Sequence, residues 1–233
     1  MTTRNIQWYC SCYNKCANMK KNRLNIVYED KHLLMVNKPG NLLTINTSKN
    51  EKNLYSEVYD YLHKKNQKVF IVNRLDKDTC GIVVFAKSEK VKNMLQDSWN
   101  NVTRKYIAVV HGNSEKEGII KSYLKETKTL YTYSSSDKHG KYAETKYKKI
   151  KSNNKYSLLE ITLKTGRKNQ IRVHMKDNNT PIVGDKKYGI NDEYKTMFLF
   201  ANMISFYHPI TKELIDIELD IPNEYLNIIK KGN

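Results

Sequence analysis

Six residues, Gly81-Ile82-Val83-Val84-Phe85-Ala86, form an apolar strand that begins directly after a loop carrying Asp76 and Asp78 among Arg74 and Lys77. A strand so free of polar side chains belongs inside a sheet, and it fixes the charged loop Asn73-Arg74-Leu75-Asp76-Lys77-Asp78-Thr79 at the edge of a rigid core. That placement suits a preorganised site, because loops held by a scaffold are where binding and catalytic side chains concentrate.

The remaining pattern completes a mixed architecture. Val27-Tyr28 and Leu33-Leu34-Met35-Val36 read as strands, stopped at Lys38-Pro39-Gly40, with strand pattern resuming at Leu42-Leu43. Lys38 sits at the mouth of that loop. Leu54, Val58, Tyr61 and Leu62 recur at helical spacing and predict an amphipathic helix over about residues 51–64. Ser88 is an N-cap for a second helix with Glu89 in its first turn and Val91, Met94 and Leu95 as its buried stripe. Strands follow from Tyr106 to Val110 and through Leu159, Ile161 and Leu163; residues 134–141 are a polar turn, and Pro222, Tyr225, Leu226 and Ile229 mark a closing helix. Hairpin-like stretches over about residues 120–165 favour an α+β fold with a mixed, largely antiparallel central sheet and flanking helices, to which the family resemblance described below adds a catalytic cleft across the sheet. A doubly wound parallel sheet fits less well.

The chain has 41 Lys plus Arg against 24 Asp plus Glu, a formal charge of +17 over 233 residues, which favours a polyanionic partner. No stretch reaches the ~18 apolar residues of a membrane span, so no membrane association is expected. The four cysteines, Cys10, Cys12, Cys16 and Cys80, come without a secretory signal and point to a reducing compartment. Cys10, Cys12 and Cys16 supply three sulfurs, one short of a structural zinc site unless an outside ligand such as His32 joins them, so no metal is expected. Residues 1–24 read as a basic arm and residues 25–233 as one catalytic domain. The arm's Arg4, Lys15, Lys20, Lys21 and Arg23 leave organellar targeting open beside a cytoplasmic location.

The segment from Asn73 to Lys87 resembles the signature of the RluA family of RNA pseudouridine synthases, His-Arg-Leu-Asp-x-x-Thr-Ser-Gly followed by a hydrophobic strand ending Phe-Ala-Lys. Similarity continues in order along the chain. Val27-Tyr28-Glu29-Asp30 with Asn37-Lys38-Pro39-Gly40 is similar to the family's opening block, and Arg104-Lys105-Tyr106-Ile107-Ala108 to its Lys-x-Tyr-x-Ala block. Thr165-Gly166-Arg167-Lys168-Asn169-Gln170-Ile171-Arg172-Val173-His174 resembles Thr-Gly-Arg-x-His-Gln-Ile-Arg-x-His, and Pro181-Ile182-Val183-Gly184-Asp185 with Tyr188-Gly189 the block after it.

The resemblance implies the conversion of uridine to pseudouridine in structured RNA, ribosomal or transfer, by a monomer without metal or organic cofactor. It assigns Asp76 as the carboxylate that starts cleavage of the glycosidic bond, Tyr106 as the residue stacking on uracil, and Arg172 as the basic partner of the aspartate. Arg74 is similar to the arginine that handles the flipped base, while Ile171 and Val173 offer apolar walls for the pocket. Asn73, Cys80 and Asn169 stand where the family has His, Ser and His, and Phe200 where it often has His; Asn keeps hydrogen-bonding capacity and Cys keeps the size of Ser. No S4 RNA-binding domain is expected in the short segment before the first block. The competing readings are an RNA-binding or ribosome-assembly protein that has lost the reaction, a glycosylase releasing free base, and a metal-dependent nuclease, for which Asp76 and Asp78 alone are thin.

Overall fold

The protein was analysed as a computed structural model that describes residues 24–45 and 52–231. All of the basic arm except Leu24, and the Cys10, Cys12 and Cys16 cluster, lie outside the described residues.

Among the described residues, eleven strands form one continuous sheet. In chain order they are β1 (Ile26–Glu29), β2 (Leu33–Lys38), β3 (Phe70–Ile71), β4 (Cys80–Ala86), β5 (Thr103–His111), β6 (Glu117–Glu126), β7 (Thr132–Ser135), β8 (Lys141–Ser152), β9 (Tyr156–Leu163), β10 (Leu199–Tyr207) and β11 (Leu214–Glu218). The helices are α1 (Leu54–His63), α2 (Glu89–Asp97), α3 (Gln170–Asp177) and α4 (Asn223–Lys230). The main path runs β1-β2-β4-β10-β5-β9-β8-β6-β7, with β3 also paired to β4 and β11 to β10. Every pairing is antiparallel except β4 with β10, which meet only at Cys80 with Phe200 and Gly81 with Ala201. This is the expected α+β fold.

Alternation along the central strands explains the layering. In β2 and β4, Leu34, Val36, Val83 and Phe85 face α1, whose Leu54, Val58 and Leu62 are buried against them. Leu33, Met35, Ile82 and Val84 face the other way, towards Val91 and Leu95 of α2. Burial of an aliphatic side chain of this size is worth about 1.5–3 kcal/mol, so each helix is held chiefly by its stripe. In the second half of the sheet Ala108, Leu159 and Ile161 pack on α3, and Ile107, Val109 and Leu158 on α4. Ser88 opens α2 as expected, its Oγ accepting from Val91 N, while α1 starts at Leu54 behind a reciprocal cap between Asn53 and Ser56 that its apolar spacing does not reveal.

Four expectations need correction. Leu42-Leu43 is loop, since the chain turns there to enter α1. Met94 is only half-buried, because Val91 and Leu95 alone face the core. The helix α3 and the central strand β10 are present where no element was assigned. Val173 is buried with Leu124, Ala143 and Tyr188 and does not line the cleft that Ile171 lines, because residues two apart on a helix point in nearly opposite directions.

The junction between β4 and β10 positions the charged loop. Gly81 has φ +117°, and a Cβ there would lie 2.3 Å from the Ala201 carbonyl oxygen. Only glycine lets β10 approach so closely immediately after the loop.

Candidate active site

The loop from Asn73 to Thr79 is tied down on three sides. At its start the Asn73 side-chain oxygen accepts from Val84 N at 2.8 Å. Buried Thr44 donates to the Leu75 carbonyl at 2.8 Å and accepts from Leu75 N at 3.1 Å. Beyond Asp76 the chain folds back, with Thr79 N donating to the Asp76 carbonyl at 3.2 Å. Lys38, with no exposed surface, donates from Nζ to the carbonyls of Pro39, Leu42 and Lys77 at 2.9, 2.7 and 3.0 Å. Three donors therefore meet three acceptors, which is what a buried ammonium requires. Burial lowers the Lys38 ammonium to about 8, against the opposing pull of Cys80, Asp78 and Asp76.

The clamp explains how the carboxylate of Asp76, about one-third exposed at 33%, is presented from a loop tethered on both sides of it. Facing it is Arg172 on α3, whose Nη1 lies 3.6 Å from Asp76 Oδ2. The planar edge of the guanidinium binds elsewhere: Nε and Nη2 donate to the two oxygens of Asp185 at 2.7 Å each. A bidentate, charge-assisted pair of this kind fixes orientation as well as charge. Asn169 adds a third contact, its Oδ1 accepting from Arg172 Nη1 at 3.2 Å while its amide reaches Tyr188 Oη and Thr132 Oγ1. Asn169 has φ 54°, a left-handed conformation that asparagine tolerates better than most residues. Although burial alone would raise the carboxyl, Arg172 and the amides of Tyr188 and Lys187 hold Asp185 below the usual range. Burial likewise opposes the charge on Arg172, but Asp185 overrides it and raises the guanidinium.

Tyr106 completes the group. It is half-buried on β5 and packs against both the α1 cluster and the α3 cluster, so it lies at their junction. Burial pushes its phenol up to about 12, with Arg104 opposing and Asp76 adding to the rise. A neutral tyrosine on a rigid strand offers a flat apolar face with a polar tip.

Asp76, Tyr106, Arg172, Arg74 and Ile171 all line one cleft of about 740 Å³. Arg74 is exposed on the loop beside Asp76, whereas Ile171 is a buried wall residue whose side chain also packs in the core beneath α3. Leu130, which is 60% exposed, lies at the rim with Lys187, whose Nζ donates to the Leu130 carbonyl at 2.8 Å. A second groove of about 520 Å³ shares Gly166, Arg167 and Lys168 with the first and continues past Lys125, His139 and Lys141. Among the described residues no group of three His, Cys, Asp or Glu is placed to hold a metal. None of the described helices is long and apolar enough to cross a membrane.

One charged residue of this site was not singled out for it by its sequence. Asp185 was noticed only as part of a block, and its spacing of thirteen residues from Arg172 gives no sign of the pairing. The substitution at Asn73 is explained by its bond to Val84, and that at Cys80 by a thiol tucked against the Leu199 carbonyl and the Tyr225 hydroxyl.

The family model described as RNA pseudouridylate synthase matches residues 32–177. The chain is 36% identical over 220 residues to an uncharacterized RNA pseudouridine synthase of Mycoplasma genitalium, spanning 91% of this chain and 71% of that protein. It is 36% identical over 206 residues to ribosomal large subunit pseudouridine synthase C of Rickettsia typhi, spanning 84% of this chain and 68% of that one. The fold is similar to that of human RNA pseudouridylate synthase domain containing 4, with TM-score 0.74 and 20% identity over 89% of this chain and 92% of the other.

Proposed function

The chain belongs to the RluA family of RNA pseudouridine synthases, and from that premise we propose that Asp76, Tyr106 and Arg172 are its catalytic group. The enzyme is an isomerase that converts uridine in RNA to pseudouridine. The N1–C1′ bond of the nucleotide breaks and a C5–C1′ bond forms. The C5 hydrogen leaves to water and N1 takes up a proton, so nothing is oxidised and no atom is gained.

The observation that carries the assignment is the ion pair between Arg172 and Asp76 at 3.6 Å, beside Tyr106 on the cleft floor. Asp76 is the group that engages the nucleotide as the glycosidic bond breaks, by attack on sugar or base or by removing a sugar proton. Arg172, oriented by Asp185, holds the carboxylate against rotation and supplies the compensating charge. Tyr106 stacks on the detached uracil and keeps it from diffusing while it turns. Ile171 walls the pocket.

A base within structured RNA must be unstacked before it reaches Asp76. Arg74 is exposed next to Asp76 and is assigned to that opening step. The basic groove through Arg167, Lys168, Lys125 and Lys141 provides phosphate contacts for the flanking strand. Ribosomal RNA of the large subunit is the first substrate to test, since named relatives act there. The reading extends to a monomer in the cytoplasm, to which the free thiol of Cys80 is suited. Nucleoside analysis of an unmodified large-subunit ribosomal RNA transcript after incubation tests it: pseudouridine is expected, and free uracil would indicate a glycosylase instead.

A further inference from the structure

Two buried guanidinium groups line the cleft, and they are treated differently. Arg172 has Asp185, Asn169 and Asp76 around it. Arg104 has none of these. It is 7% exposed, its guanidinium makes no ion pair or hydrogen bond among the described residues, and its Nε is buried without a partner. The ring of Trp99 lies 5.7 Å from the guanidinium carbon, a contact that offsets part of the burial cost. Burial lowers its affinity for the proton, with only Tyr106 opposing.

The surroundings hold this cation in position. Arg104 and Tyr106 are two residues apart on β5 and therefore share a face, with Lys105 turned away to pair with Glu160 at 3.1 Å. Across the cleft, a Cβ at Gly166 would lie 2.7 Å from Arg104 Nη1, so the absence of a side chain at Gly166 makes the room the guanidinium occupies. A buried, unpaired positive charge is costly and is retained where a partner arrives later.

We propose that Arg104 binds a phosphate of the RNA strand adjoining the target uridine, within one nucleotide of the base facing Tyr106. The proposal rests on the enzymatic reading above. The phosphate supplies the anion that Arg104 lacks and gives the guanidinium two parallel hydrogen bonds. Because the contact forms on binding and persists through the reaction, it contributes to affinity rather than to the chemical step.

The test compares parent, Arg104→Gln and Arg104→Lys on an unmodified large-subunit ribosomal RNA transcript. Measured quantities are steady-state tritium release from uridine C5, binding affinity over a range of salt, and melting temperature. Arg104→Gln should raise KM about tenfold with kcat within about twofold. The slope of log affinity against log salt should fall by roughly 0.7–0.9, the effect of one lost phosphate contact. Arg104→Lys should recover much of the affinity, and neither variant should melt below the parent. A parental KM and salt slope in Arg104→Gln overturns the proposal, as does a large fall in melting temperature with affinity intact, which makes Arg104 a strut. Absence of turnover by the parent defeats the enzymatic reading instead, while the salt slope still decides for or against Arg104.

Discussion

Arg172 and Asp185 meet in a two-bonded pair, both contacts at 2.7 Å, while Asp76 stands 3.6 Å from a different nitrogen of the same guanidinium. The tighter partner is thus the buried carboxylate that never faces the cleft. Asp185 settles where Arg172 points, and Arg172 in turn presents one nitrogen to Asp76.

Removing the anchor is expected to affect chemistry more than RNA binding. Asp185→Asn should lower single-turnover rate by about 10²-fold, because small misplacements of a catalytic partner carry penalties of that order. RNA affinity should change less than twofold. Asp185→Ala, which leaves Arg172 buried beside a vacancy, should also cost about 3–5 kcal/mol of stability in urea unfolding. A rate within twofold of the parent for Asp185→Asn would mean that Arg172 holds its position without this pair.

Lys38 links pH to the geometry of the catalytic loop. Its ammonium uses three protons to hold three carbonyls and is lowered to about 8 by burial. Above that pH one donor is lost and a lone pair faces a carbonyl, so kcat/KM should decline on the alkaline side with an apparent midpoint near 8. In Lys38→Met, activity should be low at all pH and the limb absent. An unchanged limb in that variant would assign it to another group.

Buried His174 gives the protein an acid sensitivity unrelated to the reaction. Fully enclosed, it bonds Thr145 Oγ1 at 2.8 Å and Ser122 Oγ at 3.0 Å, and burial lowers its imidazole to about 4. The unfolded chain takes up a proton near 6.5 while the folded one does not until about 4, so stability falls as pH drops through that window. At the acid end the loss is at most about 3 kcal/mol. His174→Gln should flatten the dependence of melting temperature on pH between 6.5 and 4, and parallel curves for the two proteins would contradict the assignment.

How far these features could be seen in the sequence depends on the element. The helices α1 and α2 were readable because one face of each is apolar and, for α2, because the cap residue Ser88 sits at its start. In α3, six consecutive residues from Gln170 to Met175 are buried, so no polar face exists to reveal a helical period. Its alternating Ile171, Val173 and Met175 even imitate a strand. Asp76, Tyr106 and Arg172 are the candidate site residues that their motifs point to, and all three line the cleft. Asp185 and Arg104 matter because of what does or does not lie next to them, which spacing along a chain does not encode.

Gly81 tests the junction on which the site is built. Gly81→Ala forces a Cβ into the Ala201 carbonyl at a φ of +117° that alanine avoids, and should destabilise the fold by about 3 kcal/mol or more. Urea unfolding of the two proteins measures it. A loss below about 1 kcal/mol would show that β10 can move away from β4 at little cost.

The central claim, that Asp76 carries out the isomerisation, is tested by tritium release to water from ribosomal RNA transcripts labelled at uridine C5, comparing the parent with Asp76→Ala. Release by the parent and none by the variant is expected, with both proteins folded and binding RNA equally well. Equal release by the two would contradict it.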